Sequence, residues 1–281
     1  WACERVSAEY ILCAKGVAMR ILVINPFGGT EFRGRDNLMR IKRPDTEFEM
    51  VNIAQSYPLR NNQWLYFKYA CTDPTLERVM RGEAEGFDGA FISCQLDIGL
   101  YEARTLVDIP VTGTLESAAL FCATMGRRFS LLAVDEQNGE IQRDLLRLYG
   151  LERNLVSIIP IHLDANDLYP ERTSEDAVFE RVLAAAKLAR ERDGAEMVIP
   201  GCTLFGSLLS HRQGELDEAA GIPSVDGMTA GFKLAEMRAE LFRMGAMPAV
   251  SRAGYFTKPP RPDWQTLREF QGRGDHIYGR Q

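Results

Sequence analysis

The sequence has few histidines, no cluster of basic residues and no paired metal-binding motif. Only three of its 281 residues are histidines, and its six cysteines form neither a CxxC pair nor a Cys/His group with metal-ligand spacing. We therefore expect no metal, and no Ser-His-Asp pattern is recognisable. A net charge of -6 without a concentrated basic face also argues against a nucleic-acid partner.

Long hydrophobic runs are absent as well. The apolar stretch at residues 10–14 is too short for a signal-peptide core and far too short to cross a bilayer. We therefore expect no membrane partner and a cytoplasmic location. Because Met19 is followed at once by an apolar strand-like run, residues 1–18 are interpreted as an N-terminal extension outside the fold.

The six cysteines lie at positions 3, 13, 71, 94, 122 and 202. Disulfide frameworks belong to small secreted chains, so most of these thiols are expected to be free. The ordinary expectation for one such cysteine is a small buried hydrophobe, and Cys71 and Cys122 are interpreted in this way. Cys94 and Cys202 differ from the others in their sequence context.

Short apolar runs alternate with longer segments of helical period. The strand candidates are residues 20–24, 48–53, 89–93, 109–112, 129–134, 155–160, 196–200 and 222–225. The helix candidates are residues 72–85, 98–107, 115–125, 137–149, 174–192, 206–220 and 228–244. This alternation predicts βαβ units and parallel sheets, and strands that are apolar at nearly every position predict sheets covered on both faces.

An internal repeat predicts two lobes built on one plan. Asp88-Gly-Ala-Phe-Ile-Ser-Cys94 resembles Gly194-Ala-Glu-Met-Val-Ile-Pro-Gly-Cys202, and a helical pattern follows each segment. The predicted fold class is α/β, with two pseudosymmetric lobes that each contain a mainly parallel sheet flanked by helices. The active site is expected in the cleft between the lobes, with one cysteine on each side.

The expected domain organisation follows from this repeat. Residues 19–113 together with 227–281 form the first lobe, and residues 114–226 form the second. The segment 245–281 looks irregular in sequence. It either wraps a neighbour or lines the cleft, or it is a loosely packed tail.

Cys94 and Cys202 each end an apolar strand and precede a helix. Ligands bind at the carboxyl ends of strands in open parallel sheets. The N-terminus of the following helix favours a thiolate over a thiol. Two cysteines at equivalent positions of a repeat are therefore candidate catalytic groups, although a small residue at a tight junction would give the same pattern. Asp97 is predicted to cap or begin the helix that follows Cys94.

Two opposed cysteines suit the inversion of a stereocentre. A thiolate removes a proton from one face of a carbon, and a thiol returns a proton to the other face, with the roles exchanged for the opposite enantiomer. No cofactor is needed if the C–H bond lies next to a carbonyl and N–H donors hold the enolate oxygen. The pair therefore predicts cofactor-free proton transfer.

Polar residues near other strand ends are candidate substrate-binding groups. In the segment that follows the first strand, Gly28 lets the backbone approach a ligand, while Asn25 and Thr30 offer side-chain hydrogen bonds. An ordinary structural turn is the alternative interpretation of this segment. Thr114, which follows Gly113 at the start of another helix, can also donate a hydrogen bond to a ligand.

Several segments occur in an order that is typical of one protein family. They are Ile24-Asn-Pro26, Phe87 to Arg104, Ile109-Pro-Val-Thr-Gly-Thr-Leu-Glu-Ser-Ala-Ala119, Gly201-Cys202, Ile222-Pro-Ser-Val-Asp-Gly227 and Ala230-Gly-Phe-Lys-Leu-Ala235. Over residues 20 to about 240, this ordered set resembles the aspartate/glutamate/hydantoin racemase superfamily, and within it the hydantoin racemase branch. The resemblance implies a cofactor-free homo-oligomer in which Cys94 and Cys202 are the opposed acid/base pair. It also implies a substrate-binding set that includes Asn25, Pro26, Gln95 and Thr203, the last two through backbone N–H groups.

The departures from the family pattern concern the substrate rather than the cysteines. Hydantoin racemases usually carry Asn-Pro-Asn where this chain has Asn25-Pro-Phe27, and they tend to show Phe or Gly where this chain has Gln95. We interpret the chain as a racemase of a 5-substituted hydantoin or a related amino-acid derivative. The alternatives are a maleate-type cis–trans isomerase, an arylmalonate-type decarboxylase and a non-catalytic binder of small molecules.

Overall fold

The computed structural model describes residues 18–27, 34–53, 64–163, 167 and 172–273. Apart from Ala18, the expected N-terminal extension lies outside the described residues, and so do the candidate binding residues Gly28 and Thr30. Within the described part of the chain, no helix is both long and apolar enough to cross a membrane.

The first sheet has four parallel strands in the order β2-β1-β3-β4. They are β1 (Met19–Asn25), β2 (Thr46–Asn52), β3 (Gly89–Ile92) and β4 (Val111–Gly113). The strands β1 and β3 are buried at nearly every position, as expected for a sheet covered on both faces. The register pairs Ile24 with Ile92 and Ile92 with Gly113, so the carboxyl ends of these strands meet at one edge.

The second sheet has three parallel strands in the order β6-β5-β7. They are β5 (Phe129–Ala133), β6 (Leu155–Pro160) and β7 (Met197–Pro200). An isolated parallel bridge joins Val198 to Ser224 beside β7, at the place that β4 occupies in the first sheet. The strand predicted at 222–225 is reduced to this bridge. Both sheets keep the same order, and the predicted α/β fold with parallel sheets flanked by helices is confirmed.

Ten α-helices connect and cover these strands in the described residues. They are α1 (Gly34–Ile41), α2 (Leu65–Ala84), α3 (Leu100–Leu106), α4 (Thr114–Met125), α5 (Glu136–Leu148), α6 (Glu175–Asp193), α7 (Thr203–Leu209), α8 (Gln213–Ala220), α9 (Gly227–Arg243) and α10 (Arg261–Phe270). Short 3-10 turns lie at Glu152–Asn154 and Ser210–Arg212.

The helices α4 and α9 join the two sheets. Helix α4 begins directly after β4 of the first sheet, but its apolar residues, such as Leu115, pack against the second sheet. Helix α9 follows the Ser224 bridge, and its Phe232 packs against the first sheet. Because Gly231 has no side chain, α9 approaches the first sheet closely; a Cβ there would lie 2.2 Å from the Phe91 ring. The two helices also contact each other.

The helix predicted at 206–220 is divided in the structure. Helix α7 is buried along nearly its whole length, whereas the 3-10 turn after it faces solvent. In that turn, His211 lies 3.0 Å from Glu175 and Arg212 lies 2.8 Å from Asp176. The predicted helix is interrupted where its surroundings change from buried to exposed. The apolar periodicity of residues 206–220 did not predict this interruption.

Most of residues 245–260 are exposed, but the C-terminal segment is not irregular throughout. It contains α10, which the sequence did not predict because the proline run at 259–262 suggested irregular structure. Pro262 stands in the first turn of α10, where a helix does not need its missing N–H group. Trp264 of this helix packs against the apolar cluster between the first sheet and helices α2 and α3.

Candidate active site

Cys94 lies just beyond the end of β3, at the carboxyl edge of the first sheet. Its side chain is 6% exposed and packs with Cys71, Leu96 and the partly buried Phe27. The Leu96 N–H group points at the Cys94 sulfur, with an N···Sγ distance of 3.4 Å. Residues 94–99, which we name the Cys94 turn, connect β3 to α3.

Cys202 occupies the equivalent place in the second sheet. It lies just beyond the end of β7 and is the N-cap residue of α7, where its carbonyl oxygen accepts the Phe205 N–H at 3.1 Å. Its side chain is half-buried and packs against the apolar core of the second sheet. The expected placement of both cysteines at matching strand–helix junctions is therefore present in the structure.

Burial dominates the ionisation of Cys94. It raises the pKa of the Cys94 thiol well above its usual range, and the hydrogen bond from Leu96 only partly offsets this. Negative charge on Cys202 and on Asp97 raises the pKa of Cys94 further. Ionisation of one thiol therefore opposes ionisation of the other, which suits a site that holds one thiol and one thiolate.

The other described cysteines, Cys71 and Cys122, are buried thiols. Burial raises the pKa of Cys71 to about 11 and the pKa of Cys122 to about 12. Cys71 lies in α2 beside Cys94, whereas Cys122 lies in α4 beneath the second sheet. None of the four described cysteines takes part in a disulfide.

The candidate binding residues at the end of β1 lie close to Cys94. Asn25 is 7% exposed and donates from Nδ2 to Asn52 Oδ1 at 3.1 Å. Pro26 is buried, and the next residue, Phe27, packs against the apolar cluster that contains Cys94. The described part of this segment therefore lies beside the first cysteine.

Gln95, Thr114 and Thr203 are also buried near the cysteines. The side-chain amide of Gln95 is 3% exposed, and neither its nitrogen nor its oxygen has a hydrogen-bond partner among the described residues. It lies between the starts of α4 and α9, because a Cβ on Gly227 would be 2.8 Å from Gln95 Oε1 and 2.5 Å from the Thr114 methyl group. The Thr114 hydroxyl donates to the Ile92 carbonyl at 2.9 Å, so it already has a structural partner. Thr203 is the first residue of α7.

The expectation that Asp97 caps the helix after Cys94 is wrong. The N-cap of α3 is Gly99, and Asp97 instead accepts the N–H groups of Leu115 at 3.0 Å and Glu116 at 2.8 Å, in the first turn of α4. The Tyr149 hydroxyl donates to the same carboxylate at 2.8 Å. These three donors, which lie 18, 19 and 52 residues after Asp97 in the sequence, satisfy a buried carboxylate.

Gly113 makes room for this arrangement. A Cβ at position 113 would lie 2.5 Å from Asp97 Oδ1 and 2.7 Å from the Leu100 side chain. Gly113 was a candidate substrate-binding residue. In the structure it is buried and lies against Asp97. Burial raises the pKa of Asp97 to about 6, although its hydrogen bonds act in the opposite direction.

Sequence reasoning missed Lys68 and Tyr149. Lys68 lies in the first turns of α2, before the predicted start of that helix, and burial lowers its pKa. Negative charge on Cys94 and on Asp97 acts in the opposite direction and raises the pKa of Lys68. Tyr149 follows α5 and packs against the apolar clusters of both sheets. No local pattern marks either residue, because both act through contacts distant in sequence.

Comparisons with known proteins point to one family. A family model described as Asp/Glu/Hydantoin racemase matches residues 21–235. The hydantoin racemase of Pseudomonas sp. (strain NS671) is 29% identical over 225 residues, which cover 79% of this chain and 87% of that relative. The hydantoin racemase of Rhizobium meliloti is 32% identical over 184 residues, which cover 66% of this chain and 71% of that relative.

Solved structures give the same result for the fold. The allantoin racemase from Klebsiella pneumoniae superposes with a TM-score of 0.73 at 25% sequence identity. The superposition covers 87% of this chain and 95% of that protein.

Proposed function

We propose that this chain inverts a carbon next to a carbonyl in a cyclic ureide. The chain belongs to the Asp/Glu/hydantoin racemase family and is therefore an isomerase of the racemase type. The substrate class is a 5-substituted hydantoin or allantoin. Both the curated relatives and the allantoin racemase fold support this class.

One observation carries the proposal. Cys94 and Cys202 follow equivalent strands of two sheets that have the same order, and negative charge on Cys202 raises the pKa of Cys94. Two thiols at matching junctions, close enough for one charge to act on the other, are what a two-base inversion requires. A single reactive cysteine would not need this equivalence.

The two cysteines take different roles in the resting protein. Cys94 is deeply buried and its pKa is raised, so it is the thiol that donates a proton. Cys202 is more exposed and stands at the N-terminus of α7, where the helix favours a thiolate, so it is the base. For the opposite enantiomer the roles are exchanged.

The reaction balances without an external reagent. The Cys202 thiolate takes the ring proton, and the C–H electron pair moves to the adjacent carbonyl oxygen to form an enolate. The Cys94 S–H then protonates the opposite face of the carbon. The protein is left with a Cys202 thiol and a Cys94 thiolate, and proton exchange with water restores the starting state. The ring carbonyls acidify the C–H bond, so no cofactor is needed.

The enolate oxygen needs hydrogen-bond donors near both sulfurs. The backbone N–H groups of Gln95 and Thr203 follow the two cysteines and are proposed to serve this purpose. Asn25 and Pro26, at the end of β1, are proposed to border the ring. The ammonium group of Lys68 adds positive charge on the Cys94 side.

Polarimetry on hydantoins, allantoin and acidic amino acids tests the substrate class. Loss of rotation is expected with a cyclic ureide and not with a free amino acid. Cys94→Ser and Cys202→Ser are each expected to abolish racemisation, because a serine hydroxyl is a far weaker acid than a thiol. Cys122→Ser, a distant buried thiol, is the matched control and should keep its turnover.

Two outcomes would contradict this function. Full racemisation by either Cys94→Ser or Cys202→Ser would show that two-base chemistry is wrong. A stable covalent adduct on one cysteine alone, with no loss of rotation, would instead indicate cis–trans isomerisation through a nucleophilic thiol.

A further inference from the structure

The C-terminal segment lies beyond the part of the chain that matches the family model, which ends at residue 235. After α9 it runs along the outside of α2 and α3, the helices that flank Cys94. Arg273 and Arg268 pair with Asp73 and Glu77 of α2. The segment is therefore attached to the same side of the molecule as the first cysteine.

Arg252 fixes this segment to the end of α3. Its guanidinium group donates to the Arg104 carbonyl at 2.7 Å and to the Val107 carbonyl, and it pairs with Asp108 at 2.6 Å. It also donates to the Phe256 carbonyl of its own segment at 2.9 Å. These bonds satisfy the carbonyls that a helix leaves open at its C-terminus.

A row of aromatic rings leads from this attachment toward the site. Phe256 and Tyr255 contact Tyr101 of α3, with ring centroids 5.2 and 5.9 Å apart. Tyr101 in turn contacts Tyr149, with centroids 5.6 Å apart. The contacts of Tyr101 with Phe256 and Tyr255 are edge-on, a geometry that fixes the ring orientation as well as burying apolar area, whereas the Tyr101 and Tyr149 rings are tilted at 42°. Tyr149 is therefore linked to the segment through Tyr101.

Tyr149 is joined to the Cys94 turn through Asp97. The Tyr149 hydroxyl donates to the Asp97 carboxylate at 2.8 Å, and the Asp97 N–H donates to the Cys94 carbonyl at 2.9 Å. Asp97 has a φ of 41°, a left-handed conformation that is uncommon outside glycine and persists when the surroundings impose it. The carboxylate contacts with α4 and Tyr149 supply that constraint, and they keep the Leu96 N–H aimed at the Cys94 sulfur.

We propose that residues 251–258 are a positioning element for Cys94, acting through Tyr101, Tyr149 and Asp97. The inference rests on the proposed function, since it assumes that Cys94 is a catalytic group. None of these residues needs to touch the substrate. They hold the turn that presents the sulfur, so their loss affects turnover rather than substrate binding.

Kinetics of Phe256→Ala and Tyr149→Phe test this positioning role. Each change should lower kcat on the order of tenfold with KM unchanged, because a small displacement of a reacting group slows the chemical step. Phe270→Ala, in the same segment but 88% exposed, is the matched control and should keep its kcat. Phe256→Tyr keeps the ring and should restore the rate.

A double variant provides the decisive comparison. If Phe256 acts through Tyr149, the double variant should lose no more than the larger of the two single losses, because both changes break one chain of contacts. Unchanged kcat in Tyr149→Phe, which removes only a hydroxyl group, would overturn the proposal. Strictly multiplied losses would also overturn it. Failure of the proposed function has a different signature, namely full activity in Cys94→Ser.

Discussion

Replacement of Asp97 by Asn tests how burial of this carboxylate affects stability. Its pKa rises from the usual aspartate value of 3.8 to about 6 in the folded protein, mainly because of burial. The folded protein therefore binds this proton more tightly than the unfolded chain. The contribution of Asp97 to the free energy of unfolding is fully present below pH ~4 and is lost as the pH rises through ~6.

The size of this effect follows from the pKa difference. A shift of roughly 2 pH units corresponds to ~3 kcal/mol. Denaturant unfolding of the wild type and of Asp97→Asn between pH 4 and pH 7 measures it. The variant lacks the titrating group, so the stability of the wild type relative to the variant should fall by ~3 kcal/mol across this range.

A second variant checks the cause of the shift. The Tyr149 hydroxyl bond lowers the pKa of Asp97, so Tyr149→Phe should raise that pKa further and move the upper end of the window above pH ~6. A difference between the wild type and Asp97→Asn that stays constant from pH 4 to pH 7 would refute the reasoning. It would mean that the Asp97 carboxylate is not desolvated in the folded protein.

Two further predictions concern the neighbours of Asp97. Gly113→Ala should lower the free energy of unfolding by ~1–3 kcal/mol, because its Cβ would lie 2.5 Å from Asp97 Oδ1. The control is Gly214→Ala in α8, where an added Cβ would have nothing within 4 Å. Equal stability of the two variants would contradict the close approach of Gly113 to Asp97. Because burial raises the pKa of Cys94, kcat/KM in the direction that uses it as the acid should persist above the ordinary thiol value of about 8.5 in a pH–rate profile, and a decline centred near that value would contradict its burial.

The main architecture could be predicted from the sequence because it depends on local patterns. The apolar runs of β1 and β5 are buried strands, and the repeat that ends in Cys94 and Cys202 corresponds to equivalent junctions of two sheets with the same order. Strand identity and repeat position are properties of short stretches of chain. Both can be recognised in the sequence without knowledge of the long-range contacts.

The details of the site could not be predicted because they depend on distant residues. Asp97 has the position of a cap for its own helix, yet its carboxylate binds α4, and a contact with Tyr149 that spans 52 residues completes its environment. The attachment of the C-terminal segment was not predicted for a similar reason, since Arg252 binds the Arg104 carbonyl, 148 residues earlier in the chain, and Phe256 contacts the Tyr101 ring. Local propensity carries no information about such pairings.

Proton exchange in heavy water tests the two-cysteine inversion most directly. One pure enantiomer of a hydantoin that the protein accepts is turned over in D2O, and the early product and the recovered substrate are separated and analysed by mass spectrometry. With Cys202 taking the proton on one face and Cys94 delivering deuterium on the other, the product should carry one deuterium and the recovered substrate almost none. Equal deuterium in both enantiomers from the earliest times would mean that one group serves both faces, and would contradict the account.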